Sequence, residues 1–208
     1  IDRHPEPARE ISGNHAGIVL PLLSQDDNRS ARISRAAYLY AQRRWQALGG
    51  IGVAFDGEDC GVLQLADNEQ DARAQAQAAA LFEAAPEFVQ WLDAPQIAAR
   101  FGLVARYGVW LFAQGGWMNP ARFCQALLEA CGPRLARVFD AAVARAAYSD
   151  GTWQVEDEAG RVLAAAPHLI LANGNGAASL PQAAALPLAR VRGQVTHLPA
   201  EAMPALPL

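Results

Sequence analysis

The side chains able to do chemistry are few, and most of their spacings rule chemistry out. The four histidines, His4, His15, His168 and His197, are scattered. They form no HExxH pair and no cluster with cysteine, so the sequence predicts no metal site. Ser24, Ser30 and Ser34 lie in polar or helical surroundings without a GxSxG elbow, which disfavours a serine hydrolase. The three cysteines, Cys60, Cys124 and Cys131, lack CxxC spacing. Cys124 and Cys131 fall on one face of an expected helix and read as small core residues in a reducing cytoplasm. No acid/base pair stands out. What remains is backbone chemistry. Gly174-Asn175-Gly176-Ala177-Ala178 follows an apolar run, as a dinucleotide loop would, but position 179 is Ser and no acid follows until Glu201. It therefore lacks two parts of the fingerprint. It reads instead as a tight turn, or as a glycine turn that lets backbone pass close to a cofactor held mainly elsewhere. Asp2, at the end of an opening strand, would suit a ribose-binding acid if a phosphate loop preceded it.

The elements that would position these groups are mixed α and β. The segment from Ser12 to Gly17 reads as tight turns leading into apolar Ile18 to Leu23. A helix capped by Asp27 or Asn28 is expected to run to Leu48, where Gly49-Gly50 ends it. Val62 to Leu65 is a strand, and Asp67 or Asn68 caps a helix reaching Ala85. Two brief helices start at Pro86 and Pro95. Val109 to Ala113 is a strand before the turn Gly115-Gly116-Trp117, and Asn119-Pro120 opens a helix to Cys131. Strands are expected at Leu135 to Val143, Thr152 to Glu156, Val162 to Ala166, His168 to Ala172 (buried) and Val191 to Leu198.

Composition bounds the class. Hydrophobic residues make up 52% and charged ones 18% of 208 residues, as in ordinary globular chains. No apolar run is long enough to span a membrane, and no secretory signal is visible. The net charge of −4 argues against a surface built to neutralise many phosphates, so most of the grip on any nucleic-acid substrate should come from elsewhere.

Four segments in order carry a resemblance: Ser12-Gly13-Asn14-His15-Ala16-Gly17-Ile18-Val19-Leu20-Pro21-Leu22-Leu23-Ser24, Gln114-Gly115-Gly116-Trp117-Met118-Asn119-Pro120, Leu169-Ile170-Leu171-Ala172-Asn173-Gly174 and Val191-Arg192-Gly193-Gln194-Val195-Thr196-His197-Leu198-Pro199. Across essentially the whole chain they resemble flavoproteins of the glycine oxidase and D-amino-acid oxidase type. Within that type they are most similar to the FAD-dependent half of bifunctional tRNA-modifying enzymes that act on 5-carboxymethylaminomethyl-2-thiouridine.

The resemblance implies an α/β fold, with a Rossmann-like FAD-binding layer (1–48 and 119–180) interleaved with an antiparallel-sheet substrate domain (49–118 and 181–208). The strands near Val62, Val109 and Val195 would share one sheet. It implies that Asp2 meets the adenosine ribose and that Ser12, Gly13, Asn14 and Gly17 run beside the flavin. Val143 would offer backbone to the adenine, and Asn173-Gly174 would line the pyrophosphate side. Gly116, Trp117 and Gln194 would border the substrate side. Trp117 reads equally as a core aromatic, and Arg192 as a carboxylate fork or a surface arginine.

The implied reaction removes the carboxymethyl group from the wobble uridine of tRNA, leaving the aminomethyl form; the enzyme then methylates it. FAD is the implied cofactor. S-adenosylmethionine would serve only a methyltransferase domain upstream of Ile1, and the main phosphate loop and a C-terminal flavin-site segment would also lie outside the chain. Alone, the chain is expected to hold FAD poorly, to be inactive and to be prone to self-association. The alternatives are an oxidase of free small amines such as glycine or sarcosine, and a segment that binds no cofactor by itself.

Overall fold

A computed structural model of the chain describes residues 1–201 other than 84, 190, 192 and 200. Two compact units emerge: Ala8–Gly132, and Ile1–Pro7 together with the described residues from Pro133 on.

In the larger unit, β1 (Gly17–Val19) precedes α1 (Arg29–Ala47), the short α2 (Gly52–Phe55), β2 (Val62–Leu65), α3 (Glu69–Ala80), β3 (Gln90–Leu92), α4 (Ala94–Phe101), β4 (Val109–Phe112), β5 (Gly116–Met118) and α5 (Pro120–Ala130). β4 is the centre of an antiparallel sheet of order β2-β4-β3. All four of its residues are buried, because successive side chains enter two different clusters. Trp110 and Phe112 point into the main core with Val19, Tyr38, Trp45, Phe55, Phe88 and Met118. Val109 and Leu111 pack with Leu92 and Ile97. A Phe112→Ala change would cost about 3–5 kcal/mol.

Helix α1 enters the main core along Ala31, Tyr38 and Trp45, a stripe spaced by two helical turns. Caps set the helix starts. Asn28 accepts from the Ala31 N–H, Asn68 from Asp71 and Asn119 from Ala121. Asp93 and Gln96 form a capping box on α4, each cap satisfying donors that a helix end leaves open.

The smaller unit contains an antiparallel meander of β6 (Arg145–Ser149), β7 (Thr152–Glu156) and β8 (Val162–Ala166). Arg145 and Glu156 pair across its first two strands, Nη2 to Oε2 at 2.9 Å.

Several expectations are corrected. Pro86 opens a turn leading into β3, not a helix, and α3 stops at Ala80 rather than Ala85. Gly116-Trp117 belongs to a strand because it pairs with β1. Leu135 to Val143 holds no strand; the chain joins the meander only from Arg145. His168 to Ala172 is neither a strand nor buried: Ile170 is 86% exposed, and no strand lies beside it among the described residues. The described residues of 191–198 form no strand either, so Val62 and Val109 share a sheet without Val195. Gly174–Ser179 is a 3-10 helix. Cys131 is exposed and Cys124 half-buried, so the helix buries that face only in part.

Candidate functional site

The larger unit gathers Gly17, Gly116 and Trp117 into one two-stranded ribbon. β1 and β5 pair antiparallel with Gly17 opposite Met118, Ile18 opposite Trp117 and Val19 opposite Gly116. Alternation sends Val19 and Met118 into the core and leaves Ile18 and Trp117 on the other face. There Ile18 is 72% exposed and Trp117 half-buried, so the ribbon offers an open apolar surface. Trp117 is thus not one of the fully buried core aromatics.

Backbone crowding explains both ribbon glycines. Glu58 exchanges two backbone hydrogen bonds with Trp117, at 2.9 and 3.1 Å. A Cβ on Gly116 would collide with the Glu58 carbonyl. One on Gly17 would sit 3.1 Å from Pro120 Cγ.

Ser12, Gly13 and Asn14 form the lead-in to this ribbon. Ile11–Gly13 is one 3-10 turn packed against α5, closed by the Gly13 N–H donating to the Glu10 carbonyl at 2.9 Å. A Cβ on Gly13 would lie 3.0 Å from the Ala8 carbonyl oxygen. Asn14 Nδ2 donates to the Ile11 carbonyl at 3.4 Å. All three residues are exposed.

Residues outside the sequence-derived set hold the ribbon's turn. The Tyr38 hydroxyl donates to the Gln114 carbonyl at 2.6 Å and accepts from Gln42 Nε2 at 2.9 Å. Burial, and then the charge of Asp59, push the phenol up to about 12, so it stays a donor at any ordinary pH. The sequence did not single out Tyr38. Its hydroxyl's partner lies 76 residues away, and no local spacing reveals that.

The smaller unit holds the other candidates. The Asp2 N–H donates to the Val138 carbonyl at 2.9 Å, and the Ala141 N–H to the Asp2 carbonyl at 3.0 Å. The Asp2 carboxylate turns back on its own chain, Oδ1 accepting from the His4 N–H at 2.9 Å. Ala141 and Ala144 are bonded to Asp2 and Glu156. Between them lies Val143, half-buried, with no backbone hydrogen bond seen among the described residues.

At Asn173-Gly174 the chain turns through a left-handed glycine, φ +54°. Nothing lies within 4 Å of where a Gly174 Cβ would be. The Arg3 guanidinium reaches this turn, 3.6 Å from the Cβ position of Gly176, so the opening segment and the turn are neighbours. Gln194 is exposed on irregular backbone; Arg192 lies outside the described residues.

The family described as FAD dependent oxidoreductase matches residues 1–207. The chain belongs to this family. Its relatives include the tRNA 5-methylaminomethyl-2-thiouridine biosynthesis bifunctional protein MnmC of Paraburkholderia phytofirmans, 39% identical over 96% of this chain and 30% of the relative. The protein of the same name from Paraburkholderia phymatum is 41% identical over 100% of this chain and 32% of the relative. The chain therefore spans about a third of the length of these relatives.

Among solved structures, glycine oxidase from Geobacillus kaustophilus superposes with a TM-score of 0.63 at 19% identity, covering 86% of this chain and 49% of that one. The open form of NikD, an unusual amino acid oxidase, gives 0.62 at 20% identity, with 87% and 46% covered. These two establish the fold, that of the D-amino-acid oxidase type.

Each unit by itself carries features compatible with part of a flavin dinucleotide: in the larger, an apolar ribbon face; in the smaller, a glycine turn with free space at Gly174. Among the described residues no group of three or more His, Cys, Asp or Glu could hold a metal ion, and no helix is long and apolar enough to cross a membrane.

Proposed function

We propose that the chain is part of an FAD-dependent oxidoreductase that removes the carboxymethyl group from 5-carboxymethylaminomethyl-2-thiouridine in tRNA. The product is the aminomethyl uridine, which a further domain of the same cytoplasmic protein methylates with S-adenosylmethionine. What carries this reading is that identity to proteins named for that pathway runs through 96% of the chain at 39%.

When bound, FAD supplies the hydride acceptor for the carbon beside the substrate's secondary amine; water then hydrolyses the imine to the primary amine and glyoxylate. This chain's residues bind and orient. Asp2 meets the ribose, Val143 offers backbone to the adenine, and Asn173-Gly174 lets backbone approach the pyrophosphate. Ser12, Gly13, Asn14 and Gly17 flank the flavin. Gly116, Trp117 and Gln194 border the substrate and keep water from the ring.

No side chain is needed as a base if the amine arrives neutral. Residues 1–48 with 119–180 serve the cofactor, and 49–118 with 181–208 serve the substrate. The test is nucleoside analysis of carboxymethylaminomethylated tRNA after incubation with the full-length, FAD-loaded protein. Conversion to the aminomethyl nucleoside is expected. Turnover of glycine with untouched tRNA would overturn the assignment in favour of a free-amine oxidase.

A further inference from the structure

Helix α1 carries five of the chain's 17 arginines and no acidic residue, in a protein whose net charge is −4. One of the five is accounted for by the fold: Arg35 Nη1 pairs with Asp27 Oδ1 at 2.7 Å. The other four, Arg29, Arg32, Arg43 and Arg44, are exposed, and none has an ion pair among the described residues. Arg32 acts only at longer range, helping Arg35 to hold the Asp27 carboxyl down.

Helix stability does not explain the pattern. Arg29 and Arg32 sit in the first turn, where the helix dipole disfavours cations, and only Arg44 stands in the last turn, where a cation is welcome. Within the helix no Glu or Asp stands three or four positions away to offset them.

The exposed face has a second component. With Ala31, Tyr38 and Trp45 turned into the core, the opposite stripe reads Arg29, Ile33, Tyr40, Arg43 at helical spacing. Tyr40 is 72% exposed and Ile33 67% exposed. An arginine pair at each end of a helix about 28 Å long, with an exposed aromatic between, is the composition of a surface that follows a phosphate backbone and stacks a base.

We infer that the outer face of α1 is an RNA-docking surface, on which Arg29, Arg32, Arg43 and Arg44 neutralise phosphates and Tyr40 stacks on an unpaired base. The inference rests on the tRNA reading above and adds where the tRNA is gripped. The negative charge of the whole chain does not oppose it, because the positive charge is concentrated on one helix.

The test is tRNA binding by the full-length, FAD-loaded protein at several salt concentrations. The Arg43→Gln/Arg44→Gln variant should weaken binding about tenfold and lower the slope of log affinity against log salt by about 1 to 2. Tyr40→Ala should weaken it about tenfold with the slope unchanged. Arg73→Gln/Arg100→Gln removes the same charge elsewhere and should change affinity less than about twofold if placement rather than net charge matters. Flavin content and circular dichroism report whether each variant is folded.

If the parent binds tRNA and the α1 variants bind it equally well, the docking surface is wrong while the enzymatic reading stands. If the parent binds no tRNA, both fall. If the α1 variants instead lose affinity for phosphatidylserine vesicles and keep it for tRNA, the face is a membrane-binding one and the inference is overturned.

Discussion

The two units use glycine for opposite reasons. At Gly116 there is no room: the strand passes so close to Glu58 that any side chain would strike its carbonyl. At Gly174 there is nothing but room: the backbone is left-handed at φ +54° and the space beside it is open. The first glycine is required by packing, so its loss is felt as stability. The second is required by its dihedral angle, and the open space beside it is what the proposed approach of a cofactor would use.

The largest effect should come from Gly116→Val. The ribbon must part from Glu58, and we expect about 3 kcal/mol or more of lost stability, read as a fall in denaturant midpoint or as failure to fold. A mild phenotype would break the contrast between the two glycines.

Tyr38→Phe should come next. Deleting the hydroxyl removes the closer of the Gln114 carbonyl's two donors, with Gln42 Nε2 left at 3.4 Å, which costs about 1 kcal/mol in the same unfolding measurement. The same tyrosine gives a pH signature. Its phenol ionises near 10 when unfolded and at about 12 when folded, so the folded state holds the proton longer. Stability should therefore fall as pH rises from about 10 towards 12, and Tyr38→Phe should flatten that fall. An identical alkaline profile in the variant would remove Tyr38 from the account.

Arg145→Ala should do least. The pair with Glu156 is solvent-exposed on the arginine side and is screened by salt; no change in Tm is expected. A clear drop would mean that the meander depends on that pair.

How much the sequence disclosed differs between the units in the same way. In the larger unit the elements were mostly legible because they carry their own signals: Asn28, Asn68 and Asn119 before helical patterns, Gly49-Gly50 after one, and an apolar run at Val109 to Phe112. The errors there were non-local. β3 after Pro86 and β5 at Gly116 exist because they pair with distant strands, which local propensity does not register.

In the smaller unit the strands at Thr152 to Glu156 and Val162 to Ala166 were legible, but the first strand of the meander, Arg145–Ser149, was not. The apolar run from His168 to Ala172 was read as a buried strand, yet an apolar run becomes one only when a neighbour covers it, and Ile170 stands 86% exposed. For the candidate site, the pairing of Gly17 and Trp117's segments follows from their register, not their spacing. Tyr38's hydroxyl and the arginine-rich outer face of α1 became readable only once the helix showed which side it buries.

The most direct test of the proposed cofactor role of the smaller unit is the flavin content of the full-length protein carrying Gly174→Val. A branched side chain there resists the left-handed angle and fills the open space. The account predicts a folded protein, by circular dichroism, that has lost most of its FAD; a folded variant retaining the parent's full flavin complement would contradict it.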